Sequence, residues 1–434
     1  MTKTPSFEDI SPKLQRIAKL AKEAPQLAFT TLAHHMNEDF LREAYARIRK
    51  GGARGVDGQS AEEYAANLEE NLRSLLSRAK SGKYRAPPVR RVQIPKGSGS
   101  KTRPIGIPTV EDKILQRAVV MLLEPIYEQD FVDWSYGFRP GRSAHQAVAA
   151  AREGLMEMRG GWVLEVDIES FFDELVHEHL RGFVGNRVRD GVLLRLLGKW
   201  LEAGVLEDGV WRTSTRGTPQ GGVISPLLAN IYLHEVFDRW FEEVVQPRLH
   251  RRAFALRYAD DIMVAFSSEL DARRVLKALG KRFERFGLRL HPEKTRLVEF
   301  LRPPWLGGHK PETFDLLGFT HYWGRSQSGN WVIKRKTARD RFGRVVKKIE
   351  RWCRQHMHQR VRWQHEKLCA KLRGVDGYYG IRGNFQSLEQ LRRAVRRVWR
   401  RWLSRRSQQG MSWKRFNKLL EHYPLPRPRI VHQL

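Results

Sequence analysis

The chain has 434 residues, and its 79 lysines and arginines against 48 aspartates and glutamates give it a formal charge of +31. A surplus of that size asks for a partner of dense negative charge. The 41% hydrophobic content, with charges of both signs interspersed, excludes a disordered or collagen-like chain and is enough for two or three packed domains. The longest apolar runs, such as Ala118 to Leu123, fall far short of the roughly 20 residues of a membrane-spanning helix, so no membrane partner is expected. The N-terminus, Met1-Thr2-Lys3-Thr4-Pro5, lacks the apolar stretch of a secretion signal, and only Cys353 and Cys369 could form a disulfide. Both features point to a reducing, cytoplasmic setting.

In chain order, the first 80 residues read as helical. Leu14, Ile17, Ala18 and Ala21 recur at 3-and-4 spacing, and a second stripe runs from Phe40 to Ile48, with Gly51 to Gly58 as an intervening loop. Ser81 to Pro108 and Arg302 to Pro311 are rich in Gly, Pro and Ser and read as long functional loops or element boundaries. Glu111 to Ile126 repeats the helical pattern through Ile114, Leu115, Ala118, Val119, Leu122 and Leu123, ending near Pro125. From Trp162 the period changes to two: Leu164, Val166 and Ile168 share one face of a strand, and Asp167 emerges on the other. Phe254 to Phe266 alternates on both sides of Ala259-Asp260-Asp261, which predicts a hairpin with two carboxylates at its tip. Strands alternate with helices over residues 90–325 and a basic helical tail follows, which gives an α+β core with helical additions. Residues 341–434 hold 25 Lys/Arg against five Asp/Glu, so the tail is the most basic module.

Two adjacent carboxylates at a turn repel each other unless a cation lies between them. A divalent metal meets that need, and Asp167 offers a third oxygen ligand. An all-oxygen set suits Mg²⁺ on a phosphate-bearing substrate, and two such ions can activate an attacking hydroxyl and stabilise a leaving oxygen. Cys353, His356, His358 and Cys369, by contrast, do not match the paired spacings of zinc sites.

Tyr258-Ala259-Asp260-Asp261, within Arg257 to Phe266, resembles the reverse transcriptase signature, and Val166-Asp167-Ile168-Glu169-Ser170-Phe171-Phe172-Asp173 resembles the first catalytic-aspartate motif of the same palm domain. Thr218 to Asn230, which contains Pro219-Gln220-Gly221-Gly222, is similar to the family's template and nucleotide motif. Ser135 to Ser143 and Arg103 to Pro108 are similar to its fingers motifs. These spellings are those of bacterial group II intron-encoded proteins, and the likeness runs in family order from about Pro25 to Val431.

The resemblance implies a right-hand polymerase with a helical basic maturase domain behind it: an N-terminal helical extension (1–80), fingers and palm (81–330), a helical thumb (331–380) and the maturase domain (381–434). It implies that Asp167, Asp260, Asp261 and the Ile168 carbonyl bind two Mg²⁺ ions. Lys96 and Arg103 would hold the triphosphate of a deoxynucleoside triphosphate, and Gln220 would pack against nucleotide or template. Phe172 would exclude a ribose 2′-hydroxyl, Lys294 would protonate the leaving pyrophosphate, and Leu316-Leu317-Gly318-Phe319 would form the primer grip with a tight bend at Gly318. The implied partners are group II intron RNA, an RNA template and a DNA primer or target. No His/Asn-rich nuclease module appears before Leu434, which implies an intron protein without an endonuclease domain that primes from nascent strands or replication forks.

In the tail, Leu391, Val395, Val398 and Trp402 form an apolar stripe, while Arg392, Arg396 and Arg400, with Arg393, Arg397 and Arg401, form rows at i, i+4 and i+8. These six arginines, with no acid among them, are candidate contacts to RNA phosphates. Trp399, Trp402 and Trp413 read as core residues rather than as base-stacking platforms, the alternative reading of aromatics among so many arginines. Gly374 to Gly380, Asn384-Phe385 and Gly410 to Phe416 resemble the group II maturase domain, which binds structured intron RNA. Two readings compete with an intron reverse transcriptase and maturase. One is a domesticated reverse transcriptase of defence or repair. The other is an RNA-binding splicing factor without polymerase activity, against which the intact Asp167, Asp260, Asp261 and Gln220 argue.

Overall fold

The structure is a computed structural model that describes residues 12–95, 102–207, 210–212, 216–217, 221–303, 311–406 and 408–433. It is a mixed α+β fold, and the described residues fall into two compact units. Residues 12–95, 102–147 and 164–297 form the first, and residues 148–163 and 298–433 the second. No helix among the described residues is long and apolar enough to cross a membrane.

The first unit opens with helices α1 (Pro12–Glu23), α2 (Glu38–Arg47), α3 (Ala61–Ala65) and α4 (Leu68–Lys80). Helix α1 buries the stripe Leu14, Ile17, Ala18 and Ala21 that the periodicity picks out. The Asn37 side chain caps α2, and a reciprocal Ser60–Glu63 capping box starts α3. The stretch read as a loop or element boundary from Ser81 to Pro108 contains an antiparallel pair, β1 (Val89–Pro95) and β2 (Thr102–Ile107), in register from Arg90 opposite Ile107 to Pro95 opposite Thr102. Arginines, prolines and Gly106 hide its alternation in the sequence. Pro104 is accommodated because β2 is the edge of a sheet ordered β2-β1-β4-β5.

Helix α5 (Val110–Asp130) runs through Pro125 rather than ending there. An internal proline costs a helix roughly 3 kcal/mol, but α5 buries 14 of its 21 residues, Pro125 among them, and packs against α1 and α2. Tertiary burial therefore outweighs the local break. Next along the chain come α6 (Ala144–Glu157) and β3 (Gly160–Val166), of which residues 148–163 belong to the second unit, and then α7 (Phe171–Glu174), α8 (His177–Arg187), α9 (Gly191–Glu202), β4 (Val205–Glu207), β5 (Val210–Arg212) and α10 (Ser225–Leu233). The buried Arg187 at the end of α8 pairs with Asp130 at 2.8 Å and donates to the carbonyls of Ala21, Ala24, Pro25 and Leu27, tying the end of α1 to the core. Two π-helical turns, His234–Asp238 and Phe241–Val245, extend α10. Then follow β6 (Ala253–Tyr258), β7 (Asp261–Phe266), α11 (Glu269–Arg285) and β8 (Arg296–Leu301), with a second sheet ordered β6-β7-β3-β8.

In the second unit, β9 (Phe314–Leu316), β10 (Phe319–Arg325) and β11 (Trp331–Thr337) form an antiparallel sheet ordered β11-β10-β9. Strand structure thus continues to Thr337, and helices take over at α12 (Arg339–Gln355), α13 (Val361–Tyr379), α14 (Phe385–Ser404) and α15 (Trp413–His422). All four helices feed one hydrophobic core, from Ile349 and Cys353 through Leu368 and Leu372 to Leu391, Val395, Val398, Trp399 and Phe416. Burying each of the larger apolar side chains contributes about 1.5–3 kcal/mol. The expected bend at Gly318 is present: Leu317 and Gly318 both take left-handed φ angles (+50° and +83°), and the Tyr378 hydroxyl donates to the Leu317 carbonyl at 2.8 Å. Part of the other expected loop, residues 304–310, lies outside the described residues.

Candidate active site

The β6–β7 hairpin forms as the alternation predicts. Its register runs from Ala253 opposite Phe266 to Tyr258 opposite Asp261, so Ala259 and Asp260 form the tip and Asp261 opens β7. Ala259 sits at φ +56°, a conformation that costs a residue with a Cβ about 1–2 kcal/mol. Arg257, fully buried, holds that turn in place. Its Nε donates to Asp238 Oδ1 at 2.7 Å, Nη2 donates to Asp238 Oδ2, and Nη1 reaches both Asn230 Oδ1 at 2.9 Å and the Ala259 carbonyl at 3.2 Å. Burial pushes the Asp238 carboxyl up, but the guanidinium beside it wins and holds it below the usual carboxylate range. The π-helical turn carries Asp238, and such turns recur at functional sites.

The segment Ser135 to Ser143 backs this turn from the other side. The Tyr136 amide donates to the Arg257 carbonyl at 2.8 Å, the Arg257 amide donates to the Trp134 carbonyl at 3.0 Å, and Asn230 Nδ2 donates to the Gly137 carbonyl at 2.7 Å. A methyl group on Gly137 would lie 2.2 Å from the Ala259 nitrogen, so only glycine allows this approach. Arg257, Asp238, Asn230 and Gly137 are thus positioning residues of the hairpin tip. Three of them, Arg257, Asn230 and Gly137, lie inside quoted motifs, but the pairing of Arg257 with Asp238 is a tertiary fact.

Asp167 directly follows β3, which lies next to β7 in the sheet. Its carbonyl accepts from the His291 amide at 2.8 Å and from Thr295 Oγ1 at 3.2 Å, and its carboxylate Oδ2 accepts from Lys294 Nζ at 2.7 Å. Lys294 therefore stands at the carboxylate rather than merely near it. Ile168 bridges to Leu290 through hydrogen bonds made by its neighbours, Glu169 to Arg289 and His291 to Asp167, so this pairing does not use the Ile168 carbonyl. Among the described residues, no three His, Cys, Asp or Glu side chains stand close enough together to hold a metal ion. The chemistry of the donors nevertheless fits a hard divalent cation: the three carboxylates lie at the end of β3 and at the β6–β7 tip, all partly or fully accessible, and Asp167 already carries a cationic partner.

Phe172 lies on α7, buried and edge-on to Phe171 at 5.2 Å. The backbone of Phe172 and Asp173 is approached so closely by Gly217 (φ +83°) that a Cβ there would lie 2.8 Å from both carbonyl oxygens. Gly221 (φ +115°) abuts the Gly106 carbonyl of β2, and Gln116 Oε1 accepts from the Val223 amide at 2.8 Å. Gln220 and Lys96 themselves lie outside the described residues. Arg103 is exposed on β2, opposite Ile94. Burial pushes the Asp173 carboxyl up, opposed by the positive fields of Arg91 of β1 and Arg103 of β2, so both of these arginines act on the residue next to Phe172. Arg91 was not singled out from the sequence, where it is one arginine of many.

Asp112, beside Gln116 on α5, accepts hydrogen bonds from the Tyr84 hydroxyl and from Trp200 Nε1, and burial pushes its carboxyl up to about 6. The folded state thus binds this proton more tightly than the unfolded chain, so stability falls as pH rises from about 4 to 6 and is flat above. Asp112→Asn keeps an acceptor oxygen and loses the charge. Urea unfolding across pH 4.5–8 is expected to show the variant gaining on the wild type up to about pH 6 and then running parallel, the gain being at most about 3 kcal/mol.

The arginine rows of α14 are only partly exposed. Arg392 corrects the sequence reading: it is buried, pairs with the buried Asp376 of α13 and donates to the Pro426 carbonyl, because its position faces α13 and not solvent. Arg393, Arg396, Arg397 and Arg401 are exposed, and Arg400 is half-buried with Nη1 on the Met411 carbonyl at 2.7 Å. Trp399 is fully buried and Trp402 half-buried, as a core stripe requires, but Trp413 is 44% exposed and is no core residue.

A family model described as reverse transcriptase (RNA-dependent DNA polymerase) matches residues 94–321, a span that contains Asp167, Asp260, Asp261 and the residues that position them, Arg257, Asp238, Asn230, Gly137 and Lys294. The chain is 43% identical over 242 residues to the protein YkfC of Escherichia coli, covering 54% of this chain and 63% of that one. It is 33% identical over 303 residues to the group II intron-encoded protein LtrA of Lactococcus lactis, covering 67% of this chain and 50% of that one. It is also 27% identical over 229 residues to the mitochondrial nuclear intron maturase 3 of Arabidopsis thaliana, covering 45% and 31%. The chain thus spans between half and two thirds of the length of the first two relatives.

Proposed function

We propose, on the premise that this chain belongs to the reverse transcriptase (RNA-dependent DNA polymerase) family, that it extends a DNA primer on an RNA template and serves a group II intron, whose RNA it binds to assist splicing. The observation that carries this reading is the Asp260–Asp261 hairpin tip, braced by Arg257 and Gly137, in one sheet with the strand that leads to Asp167. In this proposal the fold is a right hand, with fingers and palm over 81–330, a thumb over 331–380 and a maturase domain over 381–434.

Asp167, Asp260, Asp261 and the Ile168 carbonyl would hold two Mg²⁺ ions. When bound, magnesium supplies charge neutralisation for the attacking 3′-oxygen and for the pyrophosphate that leaves. Arg103 and Lys96 steer the triphosphate, and Gln220 packs on the nucleotide or template. Lys294, held ready on Asp167, turns to the leaving pyrophosphate and protonates it. The bend at Leu317-Gly318 grips the primer end. The exposed arginines of α14, Arg393, Arg396, Arg397 and Arg401, and the half-buried Arg400 contact intron RNA phosphates; Arg392 serves the core.

Phe172 offers a direct test, since its buried ring packs edge-on against Phe171 and its backbone lies tight against Gly217, beneath the proposed sugar position. Single-nucleotide incorporation on an RNA template is expected to favour a deoxynucleotide over the matching ribonucleotide by on the order of 10²-fold or more, and Phe172→Val is expected to narrow that gap at least tenfold. A wild type that uses both sugars equally would contradict the assignment.

A further inference from the structure

The exposed Trp413 stands out because it lies in the most one-signed stretch of the sequence. Residues 390–418 carry eleven Lys/Arg and no Asp/Glu, and Trp413 lies on the first turn of α15 in the middle of them. Its ring is held from two sides. The Arg400 guanidinium lies over it at 4.4 Å from the centroid, with Arg400 itself fixed on the Met411 carbonyl, and the fully buried Phe416 meets it edge-on at 5.9 Å. The Ser412 side chain caps the helix by accepting from the Arg415 amide, which fixes the backbone from which the ring projects. An immobilised aromatic ring loses little entropy when a flat partner stacks on it, and the cation on one side strengthens such a stack. A protein partner covering this ring would have to desolvate exposed cations of the two helices that carry it and Arg400, namely Arg396 and Arg397 on α14 and Lys414 and Arg415 on α15, whereas a polyanion neutralises them.

We propose that Trp413 and Arg400 form a stacking platform for an unpaired base of RNA, with the exposed arginines of α14 holding the flanking phosphates. This rests on the RNA-binding reading given above and adds to it the kind of RNA feature recognised: a single-stranded loop or bulge rather than a duplex. Duplex RNA offers phosphates but no free base face, so it should be indifferent to the ring.

The test uses the full chain with excess unlabelled primer–template to occupy the polymerase cleft. Two labelled probes are compared, an RNA hairpin with a loop of unpaired uridines and a blunt RNA duplex of equal length. Trp413→Ala is expected to weaken hairpin binding roughly 5- to 100-fold with the salt dependence unchanged, to leave duplex binding within about twofold, and to leave primer extension intact. Trp413→Tyr should restore most of the affinity. Arg397→Gln should weaken both probes alike and lower the salt slope by about one. Equal hairpin binding by wild type and Trp413→Ala, or an equal loss on both probes, would overturn the platform while leaving RNA binding in place. Failure of the wild type to bind either probe would overturn the RNA-binding reading and the platform with it.

Discussion

Alanine at both Asp260 and Asp261 is expected to abolish primer extension, by roughly 10³-fold or more given about 10²–10³ for each preorganised electrostatic group removed, with the melting temperature hardly changed. The hairpin is stabilised by the apolar residues of β6 and β7, Ala255, Leu256, Ile262, Met263, Val264, Ala265 and Phe266, all buried, and by Arg257. The two carboxylates lie at its accessible end, Asp261 exposed and Asp260 half-buried, and their mutual repulsion opposes folding rather than favouring it. Removing them takes charge away from the place where a metal-bound phosphate would sit and takes little from the core. Primer extension and thermal unfolding on the same preparation check both halves of this expectation. Retained synthesis would mean that the chemistry lies elsewhere.

Arg257→Gln has the second large effect, and it falls on stability and activity together. It leaves Asp238 fully buried without its counter-charge, which is expected to cost about 3–5 kcal/mol in urea unfolding. It also removes the donor to the Ala259 carbonyl, so the left-handed residue before the two aspartates is no longer held. A second variant separates the two consequences. Arg257→Met with Asp238→Leu replaces the ion pair by apolar volume, and such exchanges are often neutral or stabilising. Stability should return in that variant while primer extension stays at least tenfold down, because the turn still lacks its donor. Full recovery of extension along with stability would reduce Arg257 to a structural role.

The hairpin tip was legible in the sequence because period-two alternation on both sides of a polar dipeptide has few other solutions. The stripe of α14 was legible for the analogous helical reason. The facts that give the site its shape are long-range pairings that no local pattern encodes. Lys294 meets Asp167 across 127 positions, Arg257 meets Asp238 across 19, and the Gly137 approach to Ala259 joins two motifs that look independent in the sequence. Arg392 shows the limit of periodicity: i, i+4 rows look alike on every side of a helix, and only the buried Asp376, 16 positions back on α13, decides which row faces inward. Trp413 shows the converse, an aromatic residue that composition assigns to the core and that packing leaves outside. The β1–β2 pair and the continuation of α5 through Pro125 were missed because proline signals a break locally, while edge position and deep burial offset that signal in the fold.

The most direct measurement is run-off extension of a labelled DNA primer on an RNA template by the purified wild-type chain with deoxynucleotides and Mg²⁺, the product being sequenced. The account predicts a full-length DNA complement of the RNA, dependent on the metal. A folded wild type that binds the primer–template and adds no nucleotide would contradict it.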